Sequence, residues 1–159
     1  MNVIVSDDVL QNPNEYVKDI LSKDFMDIWQ DDSVFHNIQP RPHDDEFAQF
    51  VLNIVNPGYE VVYNFVRKSP YLQEEPTFIH TDEIMGDLTA ILYLSKNHPK
   101  EDGTTLYDLD GNKSCVFYSK FNRVLIFEAP TPHSRNIFEN FGDDESARLI
   151  QVIFLRETK

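Results

Sequence analysis

His80 and Asp82 are residues whose types and spacing could carry chemistry. They lie two apart in Thr77-Phe78-Ile79-His80-Thr81-Asp82-Glu83, and side chains two apart in an extended segment project to the same side. An imidazole nitrogen and a carboxylate oxygen placed in this way can converge on a metal ion. A His-x-Asp triplet also arises by chance in an acidic chain, so the pair alone is weak evidence.

His133 supplies a third candidate ligand. It lies in Phe127-Glu128-Ala129-Pro130-Thr131-Pro132-His133-Ser134, where a strand is predicted to begin. Two imidazoles and one carboxylate occupy one face of an octahedral ion, which leaves three adjacent positions for a bidentate cosubstrate and dioxygen. The sequence therefore predicts a metal centre at His80, Asp82 and His133.

Other polar residues near this motif have simpler interpretations. The run Glu74-Glu75 before Pro76 is expected to be surface charge. The loop 69–76 borders the metal motif and could fold over a substrate, as loops beside active sites do, and Arg67 is one of the basic residues nearest to it. Three further histidines lie in predicted loops without a ligand at suitable spacing and are expected in solvent: His36, His43 and His98.

Strands must position the three candidate ligands. Beyond Gly58 the chain consists of short runs of β-branched and aromatic residues bounded by turn formers, which is typical of a sandwich or barrel. Eight short strands preceded by helices predict a mainly β fold, a double-stranded β-helix or jelly roll, whose interior can hold a ligand near one open end. The predicted strands are Tyr59–Lys68, Thr77–His80, Asp87–Ser95, Thr104–Leu109, Ser114–Ser119, Arg123–Glu128, His133–Ile137 and Arg148–Leu155.

The first 57 residues are predicted to form a helical support for this core. Asn12-Pro13 provides an N-cap and a proline at the first helical position, which predicts a helix from about Pro13 to Ser22. The stretch 24–42 ends in two prolines that enforce an extended connection. Asp44 or Asp45 then caps a second helix. Since 159 residues suffice for one domain, residues 1–159 are expected to be a single domain with its jelly-roll core at 58–156.

The composition limits the expected cellular location of the protein and the kinds of partner that it could bind. The formal charge of −13 repels phosphate backbones, which disfavours nucleic acid as a partner. Cys115 is the single cysteine, so an intramolecular disulfide is excluded and a reducing, cytoplasmic location is expected. The start Met1–Asp8 lacks the features of a signal peptide, and apolar runs fall short of a membrane span. The sequence specifies no oligomeric state.

Four further segments accompany the three candidate ligands: Ile91-Leu92-Tyr93-Leu94, Asp102-Gly103-Thr104-Thr105-Leu106, Lys120-Phe121-Asn122-Arg123-Val124-Leu125-Ile126-Phe127 and Ala147-Arg148-Leu149-Ile150-Gln151. From Val61 to Leu155 the chain thereby resembles the prolyl-hydroxylase-like branch of the Fe(II)/2-oxoglutarate-dependent oxygenases. It is most similar in character to small phage and bacterial members of that branch.

The resemblance implies Fe(II) at the three ligands, 2-oxoglutarate as cosubstrate, dioxygen as oxidant and ascorbate as a supporting reductant. In that family a basic residue at the start of the last core strand binds the distal carboxylate of 2-oxoglutarate, and Arg148 stands there. Arg135 is the alternative, because it shares a strand face with the second histidine. The family often has Ser or Thr where Ile150 stands, so Tyr93 is the expected second partner. Tyr63 matches another tyrosine that contacts the cosubstrate in related hydroxylases.

The resemblance also implies hydroxylation of an unactivated C–H bond. Halogenating relatives have a small residue in place of the carboxylate ligand, whereas this chain has Asp82. The expected substrate is a peptidyl residue such as proline or a small amino-acid-like metabolite. Two alternatives stay open: a non-catalytic, cupin-like jelly-roll protein that binds a metal and a ligand, and a nucleic-acid demethylase of the same fold, which the acidity disfavours.

Overall fold

The computed structural model describes residues 2–55, 57–75 and 77–158. Within these ranges lie two α-helices, ten strands and a short 3-10 helix at Asp144–Ser146. The helices are α1 (Pro13–Leu21) and α2 (Glu46–Ile54). The strands are β1 (Ile4–Ser6), β2 (Met26–Gln30), β3 (Ser33–Pro40), β4 (Tyr59–Ser69), β5 (Leu88–Tyr93), β6 (Gly103–Tyr107), β7 (Lys113–Tyr118), β8 (Arg123–Glu128), β9 (His133–Arg135) and β10 (Arg148–Glu157).

The strands form two antiparallel sheets. The main sheet has the order β1-β8-β5-β10-β4-β3-β2, and the minor sheet has the order β7-β6-β9. In the main sheet Ile150 of β10 pairs with Tyr93 of β5 on one side and with Arg67 of β4 on the other. The mainly β fold predicted from the sequence is confirmed.

The central strands of the main sheet are buried on both faces. Along β5, Ile91 and Tyr93 pack with Leu106 of the minor sheet, whereas Ala90 and Leu92 belong to the cluster on the opposite face. Strands buried in this way are hydrophobic at successive positions, because neither face contacts water. The space between the two sheets is the interior of the jelly roll.

Helices α1 and α2 cover the outer face of the main sheet. Ile20, Phe47 and Val51 are fully buried there and pack in one cluster with strand residues. The recurrence of these apolar residues at helical spacing explains why each helix buries one side. Each helix has nine residues, and among the described residues no helix has the length and apolar character needed to cross a membrane.

Asp45 joins α2 to the main sheet. Its Oδ1 caps the helix by accepting a hydrogen bond from Ala48 N at 2.9 Å, and its Oδ2 accepts from Gln151 Nε2 of β10 at 2.9 Å. Arg41 Nε lies 3.2 Å from the same Oδ2, and the Asp45 side chain is only 7% exposed. A buried carboxylate needs such partners, so this residue connects a helix terminus, a loop and the central strand.

The N-terminal segment differs from the helical support that the sequence predicted. The stretch 24–42 contains a hairpin, β2 and β3, which extends the main sheet beside β4, and β1 pairs with β8 at the other edge. The predicted strand Thr77–His80 is reduced to one isolated bridge between His80 and His133. Helix α1 occupies Pro13–Leu21, where a helix from about Pro13 to Ser22 was predicted.

Replacement of Asp45 by Ala should lower the free energy of unfolding by about 3 kcal/mol or more, because it removes a helix cap and leaves the buried Arg41 guanidinium without its nearest carboxylate. Asp44→Ala is the matched control, since Asp44 is exposed and surface changes cost about 0.5 kcal/mol or less. Urea unfolding followed by circular dichroism measures both. Equal stability of the two variants would contradict the role given to Asp45.

Candidate metal centre and arginine cluster

The two candidate histidine ligands are held together by backbone hydrogen bonds. His80 N donates to His133 O at 3.0 Å, and His133 N donates to His80 O at 2.9 Å. Asp82 N donates to Ala129 O at 2.9 Å in the same region. These bonds attach the segment around His80 to the edge of the minor sheet, so that residues 53 positions apart in the sequence face each other.

The three predicted ligands converge. One ligand atom from each of His80, Asp82 and His133 lies within 4.8 Å of the other two. His133 Nε2 is 3.1 Å from Asp82 Oδ2, and His80 Nε2 is 3.5 Å from Asp82 Oδ1. The histidine rings are 4.3 Å apart between centroids. The sequence-based expectation that these side chains meet agrees with this geometry.

Both imidazoles are oriented by a hydrogen bond to the backbone of a neighbouring residue. His80 Nδ1 lies 3.0 Å from Phe78 O, and His133 Nδ1 lies 3.0 Å from Thr131 O. A carbonyl oxygen only accepts, so each Nδ1 is placed to donate, and each Nε2, which faces Asp82, is the nitrogen placed to bind a metal. Hydrogen bonds of this kind fix the orientation of histidine ligands in metal sites.

The site is buried on one side and open on the other. The side chains of His133 and Asp82 are 7% and 12% exposed, whereas that of His80 is 43% exposed. Thr89 Oγ1 of β5 donates to Asp82 Oδ2 at 3.1 Å and orients the carboxylate. Phe127 packs edge-on against the His133 ring at 4.8 Å. Access from solvent is therefore on the His80 side.

A group of arginine side chains lies deeper in the interior. Arg148 begins β10, and its side chain is 5% exposed. Its Nε is 3.5 Å from Asp102 Oδ1, and neither atom has a hydrogen-bond partner among the described residues. Thr89, beside the metal ligands, and Tyr93 lie four residues apart on β5, roughly 13 Å by the rise of a strand. The three candidate ligands and Arg148 thus occupy two ends of one interior.

Tyr93 and Thr104 join the two sheets near Arg148. Tyr93 is 1% exposed, and its hydroxyl lies 2.6 Å from Thr104 Oγ1. Burial raises the pKa of Tyr93 to about 12, although the Thr104 hydrogen bond and the charge of Arg148 act in the opposite direction. The phenol is therefore neutral at physiological pH and can donate a hydrogen bond to an anion.

Glu75 pairs with two further arginines, Arg67 of β4 and Arg135 of β9. Its Oε1 is 3.0 Å from Arg135 Nη1, and its Oε2 is 3.4 Å from Arg67 Nε. Ser69 Oγ donates to both carboxylate oxygens at 3.1 and 3.0 Å, and Gln73 Nε2 donates to Oε2 at 3.1 Å. With a side chain only 4% exposed, Glu75 is buried, which corrects its interpretation as surface charge.

The shifted pKa values in this group follow from burial and charge. Burial tends to raise the pKa of Glu75, but Arg67, Gln73, Arg135 and Ser69 outweigh it, and the pKa lies below its usual value. Burial, together with the charge of Arg148, lowers the pKa of Arg135 to about 10. Glu75 is ionised and Arg135 remains largely cationic near neutral pH.

The other predicted cosubstrate residue, Tyr63, lies on the same face of the main sheet but nearer the open end. It is 48% exposed and packs edge-on against Phe154, with ring centroids 6.3 Å apart. Phe154 pairs with Thr89, which contacts Asp82. Along the strands, Tyr63 therefore lies near the candidate metal ligands rather than near Arg148. Its contact with a cosubstrate stays a prediction.

The sequence interpretation missed most partners of the arginines. Glu75, Asp102 and Asn140 come from three different loops, and only the folded sheets bring them together. Arg67 was noted merely as a basic residue near the loop. Local spacing carries no signal for such a cluster.

Comparisons with known proteins identify the fold. No protein-family model matches the chain, and no curated protein matches it in sequence. Solved structures do match: SnoN, a non-haem alpha-ketoglutarate-dependent epimerase from nogalamycin biosynthesis, has a TM-score of 0.67 and 13% identity, over 98% of this chain and 77% of SnoN.

Two further structures agree with that match. An oxidoreductase of the 2OG-Fe(II) oxygenase family from Burkholderia pseudomallei has a TM-score of 0.64 and 10% identity, over 96% of this chain and 83% of that one. HygX from Streptomyces hygroscopicus was solved with nickel, 2-oxoglutarate and hygromycin B. It has a TM-score of 0.60 and 12% identity, over 99% of this chain and 83% of HygX. The chain therefore has the fold of the Fe(II)/2-oxoglutarate-dependent oxygenases.

Proposed function

We propose that the protein is an Fe(II)- and 2-oxoglutarate-dependent dioxygenase that hydroxylates an unactivated C–H bond. One observation carries the proposal: a two-histidine, one-carboxylate triad and a buried, incompletely paired arginine occupy two ends of the same interior. The match to oxygenase structures over 98% of the chain supports a single oxygenase domain at residues 1–159. Its placement in the prolyl-hydroxylase-like branch stays a prediction.

The donor set fits a six-coordinate divalent ion. Ligand atoms about 2.1 Å from a metal and at right angles are separated by roughly 3.0 Å. The distance of 3.1 Å between His133 Nε2 and Asp82 Oδ2 matches that value, and His80 Nε2 lies 3.5 Å from the other carboxylate oxygen, Oδ1. Two imidazoles and a carboxylate on one face leave three positions open, which is the arrangement that non-haem iron oxygenases use.

Arg148 is the arginine best suited to the distal carboxylate of 2-oxoglutarate. Arg135 already donates to Glu75 at 3.0 Å and to Asn140 at 2.8 Å. Arg148, in contrast, has a longer carboxylate contact among the described residues, with its Nε 3.5 Å from Asp102 Oδ1. A guanidinium can bind a carboxylate through two parallel hydrogen bonds, and Tyr93 is close enough to the cluster to add a third donor.

The formal charges of the interior match a dianion. Arg67, Arg135 and Arg148 carry three positive charges, and Glu75 and Asp102 carry two negative charges, which leaves +1. A divalent ion with one carboxylate ligand also leaves +1. Because an unbalanced buried charge is costly, each end of the interior has a reason to accept one of the two carboxylates of 2-oxoglutarate.

The chain's own residues orient the reactants and exclude water. When bound, iron would supply the activation of dioxygen for C–H oxidation, coupled to decarboxylation of 2-oxoglutarate to succinate. Thr89 holds the Asp82 carboxylate in place, and Phe127 shields the buried side of His133. Because Asp82 occupies the carboxylate position, hydroxylation is favoured over halogenation.

The substrate would approach on the side of His80. Phe78, Ile79 and Ile84 are 61%, 49% and 83% exposed in the segment that carries His80 and Asp82, and they offer apolar contact to a ligand. SnoN and SnoK come from nogalamycin biosynthesis and HygX was solved with hygromycin B, which favours a small molecule. A small amino-acid-like metabolite or a peptidyl residue such as proline is the substrate class that we propose.

Removal of one histidine ligand should abolish tight metal binding. We expect His133→Ala to lose high-affinity binding of Mn(II), a redox-stable substitute for Fe(II), because two remaining ligands cannot hold the ion facially. Isothermal titration calorimetry measures it, with exposed His43→Ala as the control that should bind like the wild type. Retention of wild-type affinity by His133→Ala would remove the metal centre from the proposal.

Loss of the Arg148 guanidinium should weaken cosubstrate binding. Charged hydrogen bonds contribute about 1.5–3 kcal/mol each, so Arg148→Ala should raise the dissociation constant of 2-oxoglutarate at least about tenfold. The weak visible absorption band of anaerobic Fe(II) protein titrated with 2-oxoglutarate reports binding. If Arg135→Ala weakens binding in this way while Arg148→Ala does not, Arg135 is the anchoring residue.

The protein should convert 2-oxoglutarate slowly to succinate in air with Fe(II) and ascorbate, even without its substrate. This uncoupled turnover needs only the metal and cosubstrate sites, and NMR detects the product. The blank is His80→Ala, which lacks one ligand. Equal succinate release by wild type and blank across a panel of peptides and amino acids would favour a non-catalytic ligand-binding protein.

A further inference from the structure

Glu75 is the carboxylate around which two of the three arginines of the interior cluster are arranged, Arg67 and Arg135. Both of its oxygens have partners, from Arg135, Ser69 and Gln73, with Arg67 Nε 3.4 Å away. A side chain with this many donors, 4% exposed, is a fixed part of the interior. It also lies five residues before His80 in the chain.

The contacts of Glu75 divide the arginines into two kinds. Arg67 and Arg135 face its carboxylate, whereas Arg148 lies on the other side of the cluster, against Asp102. With Glu75 ionised, the cluster has a formal charge of +1. Without that carboxylate the same cluster would carry +2.

Hydrogen-bond donors do not limit the number of anions that this cluster could bind. Within the described part of the chain, four buried arginine nitrogens lack hydrogen-bond partners: Arg67 Nε, Arg67 Nη2, Arg135 Nε and Arg148 Nε. The Tyr93 hydroxyl is a further donor. One carboxylate accepts about four hydrogen bonds, so donors remain in reserve. The limit is set by charge, because a second buried anion would exceed the positive charge available.

We propose that Glu75 is a specificity-determining residue that restricts the arginine cluster to a single carboxylate. The inference rests on the proposed function, in which the interior binds a dicarboxylate between the metal centre and Arg148. With Glu75 present, 2-oxoglutarate balances the interior and a tricarboxylate overloads it by one negative charge. Glu75 thus selects the cosubstrate by charge rather than by direct contact.

A double-mutant cycle of two charge-neutralising substitutions tests the proposal. Glu75→Gln keeps the size of the side chain and raises the formal charge of the cluster to +2, Arg67→Gln lowers it to zero, and the double variant returns it to +1. The ligands are 2-oxoglutarate and tricarballylate, a saturated tricarboxylate, and isothermal titration calorimetry with the Mn(II) protein measures both dissociation constants. This readout is independent of turnover.

The expected affinities follow the formal charge. A unit charge within a few ångströms in a partly buried site changes binding by at least about tenfold. Glu75→Gln should therefore bind tricarballylate at least about tenfold more tightly relative to 2-oxoglutarate than the wild type does, and Arg67→Gln should bind 2-oxoglutarate at least about tenfold more weakly. The double variant should recover the wild-type preference and affinity within about threefold.

The alternative outcomes are distinct. Suppose that the wild type binds 2-oxoglutarate, but the double variant loses as much affinity as the two single variants together. Glu75 then has a merely structural role, which overturns this proposal but leaves the proposed function intact. Absence of 2-oxoglutarate binding to the wild type overturns the proposed function itself. If Glu75→Gln fails to fold, as judged by circular dichroism, Arg67→Gln decides: unchanged affinity for 2-oxoglutarate overturns the proposal.

Discussion

The candidate site depends on one pair of backbone hydrogen bonds, those that His80 and His133 exchange with each other. Residues that exchange both bonds across an antiparallel bridge have their Cα atoms about 5.5 Å apart, so the two imidazoles must lie side by side. Asp82, two residues further on, then reaches the same point. A shift of one residue in this pairing would turn a histidine to the opposite face, so the metal centre requires this register.

The same register fixes what lies behind the metal centre. His133 pairs with Leu106 and Arg135 pairs with Thr104, so alternate residues of β9 contribute first to the ligand group and then to the arginine cluster. On the facing sheet, Thr89 contacts Asp82 while Tyr93, four residues later, contacts Thr104. The jelly roll therefore places the two imidazoles and the carboxylate at one end of its interior and the arginine cluster at the other.

The sequence predicted those parts of this arrangement that have a local signature. The limits of β8, Arg123–Glu128, agree with the prediction because both of its faces are buried and turn residues flank it. The hairpin at 24–42 was missed, since β2 is exposed along its length and lacks the alternation of a half-buried strand. Glu75 was assigned to the surface, because the pairing of a carboxylate with Arg67 and Arg135 exists only after β4 and β9 have been brought together.

Buried polar groups on the two faces of the main sheet differ in how completely they are hydrogen-bonded. On the helix side, Gln151 is fully buried and its amide donates to both Asp45 and Asn64, so this network is satisfied by the protein itself. On the inner side, Arg148, three residues earlier on the same strand, has an Nε that lacks a hydrogen-bond partner among the described residues. Unpaired buried donors reduce stability, and proteins retain such costs mainly where a ligand removes them. The satisfied network on one face stabilises the strand that holds the incompletely paired arginine on the other, and the anion that we propose for the interior would meet this donor already in place.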